Sequence, residues 1–169
     1  AASFDGILTA NQPISIISNT GGLTVSNTPA VQDVDAGNST VSLQALGLNK
    51  LLTVTGAVQG TGGITYIADN MTLTGSTLAG GIVTLHQATN GTLINMGGAD
   101  APGTLGLSAV ELGTITGAST LRIGDANSGN LSVTTALSSP TGASTLHLQS
   151  GGTITQTAGS TVTVTNLAV

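Results

Sequence analysis

Residues 104–133, TLGLSAVELGTITGASTLRIGDANSGNLSV, hold every structural device the chain uses. In Leu121, Arg122 and Ile123 two apolar residues flank a polar one. Leu131, Ser132 and Val133 repeat that pattern beyond a GDANSGN turn, so the segment predicts a strand, a turn and another strand. Upstream, Ser108-Ala-Val-Glu111 has the spacing of a capping box, in which the serine accepts from a free helical N–H and the glutamate reaches back. The spacing predicts one short helical turn near 108–115.

Working outward, the same alternation recurs at Ile14/Ile16, Leu23/Val25, Val41/Leu43, Leu52/Val54, Ile64/Tyr66, Met71/Leu73 and Val83/Leu85. It continues at Leu93, Leu105/Leu107, Leu146/Leu148, Ile154 and Val162/Val164. With the two strands of the opening stretch, this makes fourteen candidate strands, separated by Gly-, Asn- and Ser-rich turns such as Gly60-Thr-Gly-Gly63 and Ser150-Gly-Gly152. The chain therefore reads as all-β.

Composition selects the architecture. Aromatic residues make up 1% of the chain and cysteine is absent, while 39% is hydrophobic. A core without large rings must be built from stacked Leu, Ile, Val and Ala, which favours a narrow, repetitive interior over a sandwich. Disordered chains are poorer in aliphatics and richer in charge than this one. Phrases also repeat: STVSLQ from Ser39, STLRI from Ser119, STLHLQ from Ser144 and the variant GIVTLHQ from Gly81. Repetition of this kind marks stacked coils, and Asn90-Gly91 is the one Asn-Gly hairpin signal where an antiparallel meander would want many. The expectation is a single β-solenoid domain over 1–169 with about five to seven coils, forming a rod about 25 to 35 Å long at the spacing of paired strands. The uncapped terminal strands suggest a slice of a longer protein or a subunit that stacks end to end on its copies.

Charge narrows the partners. The formal net charge is −5, with Lys50 and Arg122 the only Lys or Arg. Two isolated cations make no phosphate-neutralising patch, so nucleic acid is not expected as a partner. No run of apolar residues is long enough for a membrane span, and no basic start followed by an apolar stretch suggests a signal peptide. Absence of cysteine fits an exported protein that relies on backbone pairing, and is equally allowed in the cytosol.

Candidate chemistry is sparse. Asp33 and Asp35 would share a face in a strand, but two carboxylates alone do not make an active site, and the preferred reading is a solvated loop over 32–37. Asp125, Asn127 and Asn130 place alternate oxygens in one turn, a weak calcium-loop candidate without the later bidentate carboxylate of a full loop. The alternative is an Asx-rich turn, and calcium is the one cofactor the residues suggest. His86 and His147 occupy equivalent places in Thr84-Leu-His86 and Thr145-Leu-His147 and are expected to face solvent, too far apart for a zinc spacing. Ser, His and Asp are all present, but no Gly-x-Ser-x-Gly elbow brings them together. Thr-x-Thr triplets at Thr53/Thr55, Thr72/Thr74, Thr114/Thr116, Thr153/Thr155 and Thr161/Thr163 would need one aligned face to bind ice, and their intervals are irregular.

The phrases GLSAVELGTI from Gly106, STLRIGD from Ser119 and GNLSV from Gly129 resemble repeat segments of large filamentous-haemagglutinin-like proteins of Gram-negative bacteria. So do GGTITQTA from Gly151 and VTNLA from Val164. The resemblance covers residues 64–169 well and the first sixty in style. It implies a right-handed parallel β-helix exported to the cell surface or beyond and used in adhesion or surface structure. The implied partners are a receptor or glycan on a host or neighbouring cell. No catalytic residues are expected. A polysaccharide-acting enzyme on the same scaffold is the alternative.

Overall fold

The computed structural model describes residues 1–4, 6–27, 33–138 and 143–169; Asp5 and Gln32 lie outside them. Its strands are wound as a parallel β-solenoid of seven turns with three faces. Four turns are regular. The first comprises β1 (Ala2–Phe4), β2 (Ile7–Leu8) and β3 (Ile14–Ser18), and the second β4 (Leu23–Val25), β5 (Val34–Asp35) and β6 (Thr40–Ala45). The third comprises β7 (Leu51–Val54), β8 (Val58–Gln59) and β9 (Gly63–Ala68), and the fourth β10 (Asn70–Leu73), β11 (Thr77–Leu78) and β12 (Ile82–His86).

The chain then makes an extra strand, β13 (Leu93–Met96), before the fifth turn of β14 (Thr104–Leu107), α1 (Ala109–Leu112), β15 (Ile115–Thr116) and β16 (Thr120–Ile123). The sixth turn is β17 (Leu131–Val133), β18 (Leu137–Ser138) and β19 (Thr145–Leu148), and the seventh β20 (Ile154–Gln156), β21 (Val162–Thr163) and β22 (Asn166–Ala168). The turn count falls within the range expected from sequence, although the strands outnumber the fourteen candidates. Those missed include two-residue strands such as β2, β5, β8 and β11, which are too short to display an alternation.

Register explains the core. On the third face Ile14, Val41, Ile64, Val83, Leu121, Leu146 and Leu167 lie opposite one another in successive strands. A second column runs Ile16, Leu43, Tyr66, Leu85, Ile123 and Leu148. Alternation aims both columns inward while Ser42, Thr65, Thr84 and Arg122 between them stay half-exposed on the outside. Each aliphatic side chain thus packs on its counterpart one turn away, which is how a chain poor in aromatics fills a narrow interior. Among the residues whose burial is described, Tyr66 is the one large ring inside, fully buried with its hydroxyl 3.0 Å from that of Thr77. Burial pushes that phenol well above its ordinary range.

The first face departs from simple winding. Its strands fall into two four-stranded sheets, β1-β4-β7-β10 and β14-β13-β17-β20. After β12 the chain forms β13, returns through residues 97–103, and lays down β14 as a parallel neighbour of β13, with Leu93 opposite Thr104. β17 then pairs with the other edge of β13. β13 is therefore sandwiched out of chain order, and β14 ends up beside β10 from the turn below.

Candidate functional site

The junction of β10 and β14 is where titratable side chains meet backbone most closely. Along β10 the N–H groups of Asn70 and Thr74 point back to the preceding turn, onto the carbonyls of Lys50 and Val54. Those of Met71 and Leu73 point the other way, toward β14. No ladder receives them. The Met71 N–H donates to Asp100 Oδ2 at 2.8 Å and the Leu73 N–H to Glu111 Oε1 at 3.3 Å. From the opposite strand the Gly106 N–H donates to Asp100 Oδ1 at 2.8 Å and the Ser108 N–H to Glu111 Oε2 at 2.9 Å. Each carboxylate thus bridges one N–H of each segment, standing where a strand carbonyl would stand in a continuous sheet.

Local sequence places both groups. Asp100 sits on the 97–103 connection, which crosses the outer face of β14 at Gly106. A Cβ there would run into the Ala99 carbonyl and the Asp100 nitrogen, so only glycine admits the crossing. Glu111 is positioned by the predicted capping box. Ser108 is the N-cap, its Oγ accepts the Glu111 N–H, and the Glu111 carboxylate returns to the Ser108 N–H. The expected helical turn is present over Ala109–Leu112, and its glutamate does more than cap, because it also reaches Leu73. Burial drives the Asp100 carboxyl up to about 6 against the two N–H bonds that favour its charge, and the negative Glu111 adds to the rise.

The pattern extends beyond the junction. Asp69 is buried and accepts N–H bonds from Asn49, Ala88 and Thr89, tying together two turn regions. Asp33, also buried, accepts the Ala57 N–H at 2.7 Å, and Asp35 accepts that of Gly37 at 2.7 Å in an Asx turn. The two aspartates therefore serve different turns of backbone, and Asp33 is not in a solvated loop. Every carboxylate among the described residues accepts at least one backbone N–H. Sequence reading singled out Asp33, Asp35, Glu111 and Asp125 but passed over Asp69 and Asp100, whose only signal is an acid placed beside a turn.

At the calcium candidate, Asp125 Oδ1 accepts from Gln87 Nε2 at 2.6 Å and from the Asn127 N–H at 2.9 Å, while Oδ2 lies 3.7 Å from His86 Nδ1. Burial raises this carboxyl, but the Gln87 and Asn127 bonds together with His86 hold it below the usual range. Asn130 turns its Oδ1 to the Thr153 N–H of the next turn. The contacts around Asp125 are an Asx turn's, with N–H donors against the oxygens. Among the described residues no three His, Asp, Glu or Cys side chains gather as metal ligands.

The two histidines are not equivalent. Register sets His147 opposite Arg122 and Arg122 opposite Thr84, so His147 belongs to the column of Thr84, while His86 lies opposite Ile67. The matching phrases are offset by two residues because inward columns, not outward letters, set the alignment. Both side chains lie on the outer surface and are half-buried: Arg122 Nε donates to His147 Nδ1 at 3.3 Å, and His86 Nδ1 lies 2.8 Å from the Gln87 carbonyl. Among the described residues no hydrogen bond joins a serine to either histidine. Of the threonine triplets, Thr53 and Thr72 pair across β7 and β10 with Thr24 beyond, whereas Thr116 and Thr163 fall on the second face.

Comparison with protein-family models, with curated proteins and with solved structures found no match. The described residues include no helix long and apolar enough to cross a membrane.

Proposed function

We propose that this chain is a non-catalytic rod segment of an extracellular or cell-surface adhesin, in the manner of the filamentous-haemagglutinin-like proteins its repeat phrases resemble. The observation that supports it most is the use made of the carboxylates. Every described one is tied to backbone N–H groups of turns and strand edges, which is the work of a scaffold. A continuous third face gives such a scaffold its stiffness, and its outward column of Ser15, Ser42, Thr65 and Thr84, continued by Arg122 and His147, offers hydrogen bonds to a glycan or receptor. The test is binding of the purified chain to a glycan array and to epithelial and bacterial cells, with electron microscopy of the parent protein. Saturable binding and rod-shaped particles are expected. Globular particles, or a glycan-cleaving activity, would overturn the reading.

A second reading, self-stacking into a filament, is favoured by the far end of the solenoid. There Val133, Leu148, Ile154, Val162, Leu167 and Val169, with Thr155 and Gln156, line an open pocket of about 270 Å³, and Leu167 is 54% exposed. The strand edges of β20, β21 and β22 match in number and face those of β1, β2 and β3 of a second copy. Sedimentation at rising concentration is expected to show oligomers, and a strict monomer would remove this reading.

A further inference from the structure

The seam between β10 and β14 interrupts the first face and has no counterpart on the third, whose seven strands pair directly with one another. At the seam, two adjacent strands present N–H groups to two acids instead of to carbonyls, and the acids lie near enough for the charge of Glu111 to act on Asp100. We propose that Asp100 and Glu111 form a protonation-controlled clasp, holding β10 to β14 most tightly when Asp100 carries a proton and loosening the seam when both acids are ionised.

With both acids ionised, two like charges share a half-buried gap, and their mutual repulsion opposes the four N–H bonds that draw the strands onto them. A proton on Asp100 removes one of those charges. It also gives the seam a donor, because a protonated carboxyl has one O–H besides its remaining acceptor sites. In a strand the C=O of a residue projects to the same edge as its N–H, so the carbonyls of Met71 and Gly106 face the gap that this O–H enters. Closing the seam thus favours proton uptake, and proton uptake favours closure.

Among the described residues no other charge faces the pair from the surrounding elements. β10 reads Asn-Met-Thr-Leu, β14 Thr-Leu-Gly-Leu and β13 Leu-Ile-Asn-Met; the 97–103 connection contributes only Asp100, and α1 only Glu111. Before β10, Asp69 is committed to Asn49, Ala88 and Thr89. Lys50, ahead of β7, meets the start of β10 through its carbonyl on the Asn70 N–H. The connection is itself moored to the turn below, the Gly103 N–H donating to Asn49 Oδ1 at 3.0 Å, so a slackened seam would remain tethered.

Asp100 titrates higher in the closed seam, at about 6, than in an opened one, near its ordinary 3.8. The closed form therefore binds the proton more tightly. Closure is strongest below the lower value and weakens as pH rises through the interval between the two. The full shift would correspond to about a hundredfold, and solvent screening of a half-buried group reduces the expectation to about tenfold.

Amide hydrogen exchange on the whole chain tests this, read as protection factors corrected for the intrinsic pH dependence. Protection at Met71, Leu73, Gly106 and Ser108 is expected to fall about tenfold between about pH 4 and about pH 7. The Thr55 and Thr74 amides, bonded to Val25 and Val54 in the uninterrupted ladder, serve as internal controls and stay level. Asp100→Asn flattens the response. Should that variant fail to fold, Glu111→Gln decides, because removing its charge moves both the seam response and the carboxyl-carbon titration of Asp100 to lower pH. Seam amides as pH-independent as the controls, a fall that persists in Asp100→Asn, or an Asp100 that titrates at its ordinary value would each overturn the proposal.

Discussion

Tyr66 and Thr77 meet hydroxyl to hydroxyl at 3.0 Å inside the solenoid, one from the third face and one from the second. Both are fully buried, and the bond joins the two faces across the core. Tyr66→Phe keeps the ring and strands the Thr77 hydroxyl, at an expected cost of about 1–2 kcal/mol in urea unfolding. Adding Thr77→Val removes the stranded group. The double variant is therefore expected to lose less than the sum of the singles.

The inward columns carry the stability and the outward ones do not. Leu85, between Tyr66 and Ile123 and fully buried, is expected to cost about 2–5 kcal/mol when replaced by alanine. Thr84→Ala, one residue away but facing out, is expected to stay within about 0.5 kcal/mol. Equal losses from the two variants would contradict the assigned register.

Gly106 is the point at which the 97–103 connection presses on β14. Gly106→Ala forces the Ala99–Asp100 backbone outward and pulls the Asp100 bridge off Met71, so destabilisation of about 1–3 kcal/mol is expected. Early loss of exchange protection at Met71 and Gly103 would locate the damage. Gly91, with open space around it, gives a useful comparison: its cost in the Ala variant arises only from its positive φ of 81°.

Asp125 titrates in the opposite sense to Asp100. Its carboxyl is held below its ordinary value, so its contribution to stability is present above the unfolded value of about 3.9 and is lost as pH falls through the depressed folded one. Asp125→Asn is expected to lower the urea midpoint at neutral pH and to lower it less in acid, as pH falls through the depressed folded value. A variant equally destabilised at both pH values would assign the residue a packing role instead.

The periodic part of this molecule was legible in the letters. Alternation at Val83/Leu85 and Leu121/Ile123 marks strands because a pleated backbone sends successive side chains to opposite faces, and scarce aromatics make like-on-like stacking the remaining way to fill a core. Ser108 and Glu111 announced their helical turn, since a capping box depends on contacts three residues apart. Asp100 left no such trace. Its partners are Met71, twenty-nine residues back, and Gly106 on a strand laid down after its neighbour, and no local pattern encodes an exchange in strand order.

By itself, then, the sequence determined the all-β class, the alternating apolar positions of the longer strands, the approximate number of turns and the capped helical turn, because each depends on spacing within a few residues. Only the tertiary structure decided that β13 lies between β14 and β17, that His86 and His147 occupy different columns, and that two acids bridge the strands where the sheet parts. Those features depend on which turn of the solenoid rests on which. That choice is made by burial across the whole core, where one residue's slip would send every inward side chain into water.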